Sequence, residues 1–290
     1  MHESVMVEEV IDYLILDNNG RYVDCTFGMG GHTREILKNL SSKASLFAID
    51  RDPFSSDIAK SLSKKDSRVI AINDNFSELS RYIKSSSING VLLDLGISSY
   101  QLDSEKRGFS FQNNGPLDMR MNQNQGISAG EWVNTATQKE IDNILWTLGE
   151  ERFSRKIAKA ICISRAKKSI KTTKDLSDLI SEIIPRRGRR HPATNTFRAI
   201  RMFINNELEV LRVGLEAAAS ILLPGARLLT ISFHSMEDRI VKRFIQGKDR
   251  LSSEIQFRLV GGKPIKPKSP EVNRNPRSRS AILRVAERVA

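Results

Sequence analysis

Strand-like and helix-like segments alternate along the first hundred residues, and few folds accommodate such an alternation. The strand-like segments are short apolar runs, at 22–26, 45–50, 69–72 and 90–95. Helical patterns separate them, one ending near Leu40 and the others at 54–62 and 77–85. Uninterrupted apolar strands are typical of a sheet that helices cover on both faces, so the pattern predicts an α/β fold with a doubly wound parallel sheet.

The alternation stops after residue 100. Residues 100–130 are rich in Gly, Asn, Gln and Ser, which predicts a long ordered loop or a domain crossing, and the chain is then helical as far as Arg201. Strand signals return only later, at 227–233 and 281–286, after a long helix at 205–222 that a Pro-Gly pair would end. We therefore predict an α/β domain of residues 1–100 and 205–290, with a mostly helical domain of residues 101–204 inserted into it.

Positive charge is concentrated in two blocks of the 290-residue chain. Residues 151–201 carry 15 Lys or Arg against 4 Asp or Glu, and residues 239–290 carry 14 against 4, within an overall net charge of +12. Such a directed basic surface favours a polyanionic partner such as nucleic acid. The side chains that we expect to contact phosphates lie in two segments: Arg186, Arg187, Arg189, Arg190 and His191, then Arg274, Arg277 and Arg279.

Several protein classes are excluded by composition. Cys25 and Cys162 cannot form a disulfide framework and predict buried thiols in a reducing compartment. The first residues lack a signal-peptide pattern and no apolar run is long enough to cross a membrane, so we expect a cytoplasmic protein without a membrane partner. The four histidines and two cysteines show no metal-ligand spacing, which predicts no metal.

Three features fall at the ends of the predicted strands. Gly28, Gly30 and Gly31 follow the first strand and precede a helix, so the backbone there can turn tightly and approach a ligand closely. Asp50 ends the second strand, where a carboxylate can accept hydrogen bonds from both hydroxyls of a ribose. Asp94 ends the fourth strand. Because ligands bind at the carboxyl ends of the strands in open α/β sheets, these residues predict a nucleotide-type cofactor.

A glycine turn alone suits nicotinamide dinucleotides as well as S-adenosylmethionine. This turn departs from GxGxxG, because His32 and Thr33 follow Gly31. Asp24 precedes the turn, and a carboxylate there would attract a cationic amino group and oppose a pyrophosphate. The residues therefore favour S-adenosylmethionine, and a nicotinamide-dependent dehydrogenase stays as a weaker alternative that no second mononucleotide-binding half supports.

Eight long motifs follow one another along nearly the whole chain. They are VDCTFGMGGHT from Val23, AIDRDP from Ala48, LLDLGISSYQLD from Leu92, RGFSFQNNGPLDMRM from Arg107, GEERFSRKIA from Gly149, RHPATNTFRAIR from Arg190, ISFHSMEDRIVKRF from Ile231 and NPRSRSAILRVAE from Asn275. Together they resemble the bacterial MraW/RsmH methyltransferases. A series of this length is far more specific than any glycine turn.

The resemblance implies a class I S-adenosylmethionine-dependent methyltransferase fold, a Rossmann-like parallel sheet with an antiparallel C-terminal strand, and an inserted helical domain that would hold the RNA. It implies S-adenosylmethionine as the cofactor. It also implies a substrate, the exocyclic N4 of a cytidine in 16S rRNA of the small (30S) ribosomal subunit. The cofactor contacts that it implies are Gly30, Gly31, His32, Asp50, Phe76, Asp94 and Gln101.

A cytosine N4 amine is a weak nucleophile because its lone pair is delocalised into the ring, so an acceptor aimed at its hydrogens would assist the attack. Many amino-methylating enzymes have an Asn or Asp, then two prolines and an aromatic residue, after the fourth strand. This chain has DLGIS from Asp94. Asp94 is therefore the predicted catalytic residue, although cofactor binding would also explain it. His234 is a second catalytic candidate that would orient the acceptor or contact RNA, and we expect Asp118 and Arg120 to shape the pocket.

Three functions stay open beside the dehydrogenase. The leading one is an rRNA methyltransferase, and a close alternative is a methyltransferase that acts on another RNA or DNA amine. The third is a ribosome-assembly factor that binds RNA and S-adenosylmethionine and whose methyl transfer is incidental.

Overall fold

The computed structural model describes residues 4–184, 191–248 and 255–289. The chain folds into two compact units, Met1–Gly96 with Leu208–Ala290, and Ile97–Glu207. The predicted phosphate-binding residues Arg186, Arg187, Arg189 and Arg190 lie outside the described ranges. Within those ranges, no helix combines the length and the apolar character that a membrane crossing requires.

The described strands of the first unit form one seven-stranded sheet. They are Arg21–Asp24 (β1), Ser45–Ile49 (β2), Val69–Ile72 (β3), Ile88–Asp94 (β4), Leu222–Ser232 (β5), Phe257–Leu259 (β6) and Ile282–Arg288 (β7). Their order in the sheet is β3-β2-β1-β4-β5-β7-β6; the first five are parallel, and β7 runs antiparallel to β5 and β6. A mainly parallel sheet with an antiparallel strand near the C-terminus is what the predicted fold class requires, and that prediction is confirmed.

Helices cover both faces of the sheet. The helices of the described chain are Val7–Leu14 (α1), Gly31–Lys38 (α2), Pro53–Ser63 (α3), Ser99–Asp103 (α4), Ala129–Thr135 (α5), Gln138–Thr147 (α6), Ser154–Lys167 (α7), Thr173–Ile183 (α8), Thr194–Ile204 (α9), Glu207–Ile221 (α10), Ser235–Ile245 (α11) and Ser269–Arg274 (α12). Successive strand residues alternate between two apolar clusters: Val91 and Leu93 pack with α10 and α11, whereas Leu92 packs with α1, α2 and α3. Both faces are therefore buried, as the apolar runs predict.

The second unit has an apolar core of its own. It is formed by α5 to α9 and includes the buried side chains of Trp132, Ile157 and Phe197. Helices α5, α6 and α8 each begin with a capping box, in which a Ser or Thr side chain and an acidic side chain three residues later satisfy the first N–H groups. Apart from one isolated bridge between Pro116 and Thr172, the described residues of this unit contain no β-structure.

Two predicted elements differ from the structure. The segment 77–85 is not an α-helix, because only Phe76–Arg81 is helical, as a 3₁₀ helix. In the segment that follows, Ser87 Oγ donates a hydrogen bond to the carbonyl oxygen of Lys84, and such local side-chain bonds favour turns. The Pro-Gly pair at 224–225 does not separate helix from strand. β5 begins at Leu222, directly after α10, and the pair lies in a bulge, because the pairing with β4 jumps from Leu222 to Arg227.

Candidate active site

Glycines form the turn between β1 and α2. Gly28 and Gly30 have left-handed backbones, with φ of +54° and +75°. A Cβ on Gly30 would lie 2.5 Å from the ring of Phe27, and one on Gly31 would overlap Oγ of Ser4. A larger residue at either position would displace its neighbours. Glycine is therefore favoured at both, and no side chain covers the backbone at the start of α2.

Asp50, the residue that follows β2, is hydrogen-bonded to this glycine turn. Its Oδ2 accepts the N–H of Gly28 at 2.7 Å, and its Oδ1 accepts the N–H of Asp52 at 2.8 Å. Each oxygen keeps a further lone pair, so the carboxylate can still accept hydrogen bonds from a ligand. Desolvation raises the pKa of Asp50 to about 7.

Two carboxyl groups and an imidazole form a cluster at the ends of β1 and β4, in which Asp24 and His32 are buried and Asp94 is partly exposed. Asp24 accepts the hydroxyl of Thr33 at 2.7 Å, and Asp94 Oδ2 lies 3.5 Å from Nε2 of His32. Among the described residues, neither Oδ1 of Asp94 nor either ring nitrogen of His32 has a hydrogen-bond partner. Of these two side chains, that of Asp94 is 25% exposed and can contact a ligand, whereas that of His32 is buried behind it.

The charges of this cluster influence one another. Burial raises the pKa of Asp24 above its ordinary value, more than His32 and Thr33 lower it. Burial by itself would lower the pKa of His32, but the neighbouring carboxylates of Asp94 and Asp24 raise it above its ordinary value. The imidazolium form of His32 is therefore favoured between two acidic groups.

Phe76 lies beyond β3, at the first position of the 3₁₀ helix. It is partly buried and packs against Gly214 of α10, where a Cβ would lie 2.2 Å from the ring. The neighbouring strands β3, β2, β1 and β4 are thus followed at their carboxyl ends by Phe76, Asp50, the glycine turn and Asp94. The first unit brings these predicted residues to one edge of the sheet.

Three predicted residues belong to the second unit. Gln101 is buried in α4, and it forms a reciprocal cap with Ser98: its Oε1 accepts the N–H of Ser98 at 3.0 Å, and Ser98 Oγ accepts the N–H of Gln101. Arg120 forms a bidentate ion pair with Asp118, with both N–O distances at 2.8 Å. These contacts order loops within that unit.

His234 caps α11, directly after β5. Its Nδ1 accepts the N–H of Glu237 at 3.4 Å, and the carboxylate of Glu237 accepts the N–H groups of Phe233 and His234. His191 of the second unit stacks on Phe111 with ring centroids 4.6 Å apart. The predicted RNA-binding residues Arg274, Arg277 and Arg279 are exposed near the C-terminus.

Three residues that sequence reasoning missed support the site. Thr33 holds Asp24, and Thr26 Oγ1 accepts the N–H of Asp94 at 2.7 Å. Threonines beside a glycine turn give no distinct signal. Gly214 allows the ring of Phe76 to pack on α10. It did carry a signal, because glycine lowers the stability of a helix interior and so suggests a packing reason.

Comparisons with known proteins give the family. The model of the MraW methylase family matches residues 1–289. A Ribosomal RNA small subunit methyltransferase H of Marinomonas sp. is 48% identical over 100% of this chain and 97% of its own, and one of Coxiella burnetii is 43% identical over 100% and 99%. The crystal structure of TrmN from Thermus thermophilus is a distant likeness, with 10% identity, a TM-score of 0.47, and coverage of 98% of this chain and 48% of its own. The chain belongs to the MraW methylase family.

Proposed function

We propose that this protein transfers a methyl group from S-adenosylmethionine to the exocyclic N4 of a cytidine in 16S rRNA, within the small (30S) ribosomal subunit. The observation that carries the proposal is the Asp94 carboxylate, which lies at the end of β4 with one oxygen unpartnered among the described residues. The names of the relatives support the small-subunit rRNA as substrate. The N4 position is supported by the resemblance and by the chemistry of an acidic acceptor.

The residues at this edge of the sheet fit S-adenosylmethionine. Asp50 can accept the ribose hydroxyls, Phe76 offers an apolar face to adenine, and the bare turn at Gly30 lets the ligand approach the backbone. The carboxyl groups of Asp24 and Asp94 suit a cationic ligand and oppose a pyrophosphate. When bound, S-adenosylmethionine would supply the methyl group of a sulfonium, which an amine can take while the sulfur leaves as a neutral thioether.

Asp94 has the features of the proton acceptor. The Asp94 side chain is 25% exposed, so its carboxylate can accept a hydrogen bond from the N4 amine, which localises the nitrogen lone pair for attack. An amine that takes up the methyl group would become cationic, and the Asp94 carboxylate would accept one of its protons. His32, 3.5 Å from Oδ2, holds the carboxylate in place by charge.

The reaction is tested on small subunits from cells that lack this protein. We expect incubation with the protein and methyl-labelled S-adenosylmethionine to label the 16S rRNA, and nucleoside mass spectrometry to identify N4-methylated cytidine in the decoding region. Label on another nucleoside would overturn the N4 assignment. Bound cofactor without label on subunits or free rRNA would instead support the RNA-binding assembly factor.

The role of Asp94 is tested by Asp94→Asn, with Asp57→Asn on the exposed surface of α3 as the matched control. The amide keeps the shape of the carboxylate but cannot take the proton, so we expect kcat to fall by about 10²- to 10⁴-fold. The Kd for S-adenosylmethionine, measured by calorimetry, should change far less. A parallel loss of binding and activity would identify Asp94 as a cofactor ligand only.

A further inference from the structure

An open cleft of about 450 Å³ lies in the first unit, between the first turns of α11 and the beginning of β7. Phe233 and Ser235 line it at the start of α11, and Ser280 lines it on the opposite side. Arg239 and Lys242 complete the wall from α11, where a spacing of three residues puts both side chains on one face of the helix. The proposed transfer of a methyl group does not use these residues.

The charge of this cleft is positive. Neither Arg239 nor Lys242 forms a salt bridge with any described residue, and both are exposed. The acidic residue of the lining, Asp238, is already neutralised, because Arg284 holds it in a bidentate ion pair with N–O distances of 2.7 and 3.0 Å. Two cationic groups are thus available to an anion.

The cleft also offers neutral donors. The cap of the eleven-residue helix α11 satisfies the N–H groups of Phe233, His234 and Glu237, which leaves those of Ser235 and Met236 without a partner among the described residues. The hydroxyls of Ser235 and Ser280 lie in the lining. Cations, hydroxyls and the positive end of a helix are the groups that bind a phosphate oxygen.

The position of the cleft links it to the acceptor. Ile231 of β5 pairs with Asp94 of β4, and Phe233 follows two residues later. The ring of Phe233 lies beside Gly96, at 3.6 Å from where a Cβ would stand. The apolar wall of the cleft therefore adjoins the end of β4, where the target base would meet Asp94.

We propose that this cleft binds a phosphodiester group of the acceptor RNA strand, next to the nucleotide whose base reaches Asp94. Arg239 and Lys242 contact the phosphate oxygens, and Phe233 faces the adjoining nucleoside. The proposal rests on the proposed function, since it takes that nucleotide as the one to be methylated. The contact is to the backbone, so it fixes the position of the strand and carries no sequence preference.

The test uses the full chain with Arg239→Gln and Lys242→Gln combined. The matched control is Lys64→Gln with Lys65→Gln, which removes the same charge from the exposed end of α3. Affinity for unmethylated small subunits and for a fluorescent single-stranded oligoribonucleotide is measured over a series of KCl concentrations. We expect the Kd for RNA to rise about ten-fold and the slope of log K against log salt to fall by about one in the cleft variant only.

The Kd for S-adenosylmethionine and the thermal midpoint report on folding and should match the control. Arg239→Lys keeps the charge and should retain most of the RNA affinity. RNA affinity and salt slope equal to those of the control pair would overturn the proposal, as would an equal loss in Arg239→Lys and Arg239→Gln. Wild-type protein that methylates nothing, with the cleft variant still impaired in RNA binding, would reject the proposed function and leave the cleft assignment in place.

Discussion

If Asp50 accepts the ribose hydroxyls as proposed, this one carboxyl group links cofactor binding to pH. Its pKa is raised to about 7 by desolvation, whereas hydroxyl donors from a ribose favour the ionised form. Binding of S-adenosylmethionine should therefore release a proton below neutral pH. We expect its Kd, measured by calorimetry, to rise about ten-fold for each pH unit below 7.

Asp50→Asn should weaken the binding of S-adenosylmethionine and make its Kd less dependent on pH. Asp57→Asn should leave the pH dependence of the Kd unchanged. The unliganded protein gives an independent check. Because the folded-state pKa lies above the ordinary value, the folded chain keeps a proton that the unfolded chain has lost between about pH 4 and 7. This group's contribution to the free energy of unfolding therefore decreases as pH rises through that window, and Asp50→Asn should remove that decrease. The same pH profile in wild type and Asp50→Asn would contradict the assignment.

Alanine substitutions at Gly30 and Gly126 distinguish the effect of a left-handed backbone from the effect of steric overlap. Gly30→Ala adds a left-handed alanine and places its Cβ 2.5 Å from the ring of Phe27. Gly126→Ala adds a left-handed alanine at φ +68°, with no atom within 4 Å of the Cβ. In both variants we expect the strain of the left-handed alanine to lower the free energy of unfolding by about 1 kcal/mol. Only Gly30→Ala should weaken S-adenosylmethionine binding, by at least about ten-fold, and equal Kd values in calorimetry would show that the turn does not contact the cofactor.

At the scale of elements, α10 and the 3₁₀ helix after β3 approach each other closely where Gly214 lies against Phe76. An alanine in a helix is ordinarily about 1 kcal/mol more favourable than glycine, but at this position its Cβ would lie 2.2 Å from the ring. We expect Gly214→Ala to displace the ring and weaken S-adenosylmethionine binding. In Phe76→Ala, adding Gly214→Ala should cost nothing further. Additive losses in this double-mutant cycle, measured by calorimetry and thermal unfolding, would refute the coupling.

The elements that could be predicted are those specified by local patterns. The apolar runs of β1 to β4 predict buried parallel strands because both of their faces must be covered, and Asp50 and Asp94 follow from the positions where strands end. The short strand β6 carries too few apolar residues for a local signal, and it exists because β7 offers it an edge. The ion pair of Asp238 with Arg284 joins residues 46 positions apart, which no local pattern could reveal.

On the whole-molecule scale, positive charge is distributed unevenly along the chain. This makes it possible to test whether RNA binds to particular basic segments or responds only to the net charge. Lys156, Lys159 and Lys167 of α7 are exposed in the first basic block, whereas Lys38, Lys60 and Lys64 are exposed in the acidic remainder. Changing either set to Gln removes three charges and lowers the net charge of +12 equally. Their effects should differ, since only lysines that neutralise phosphates release counterions.

We expect the α7 set to lower the slope of log K against log salt for small subunits by up to about two, and the other set to leave it near the wild-type value. Affinity for S-adenosylmethionine should be the same in both, because its proposed site lies in the acidic part of the chain. Equal slopes in the two sets would mean that RNA binding depends on the net charge of the molecule rather than on the first basic block. A loss confined to the α7 set would assign strand binding to the second unit, through the charges of the first basic block.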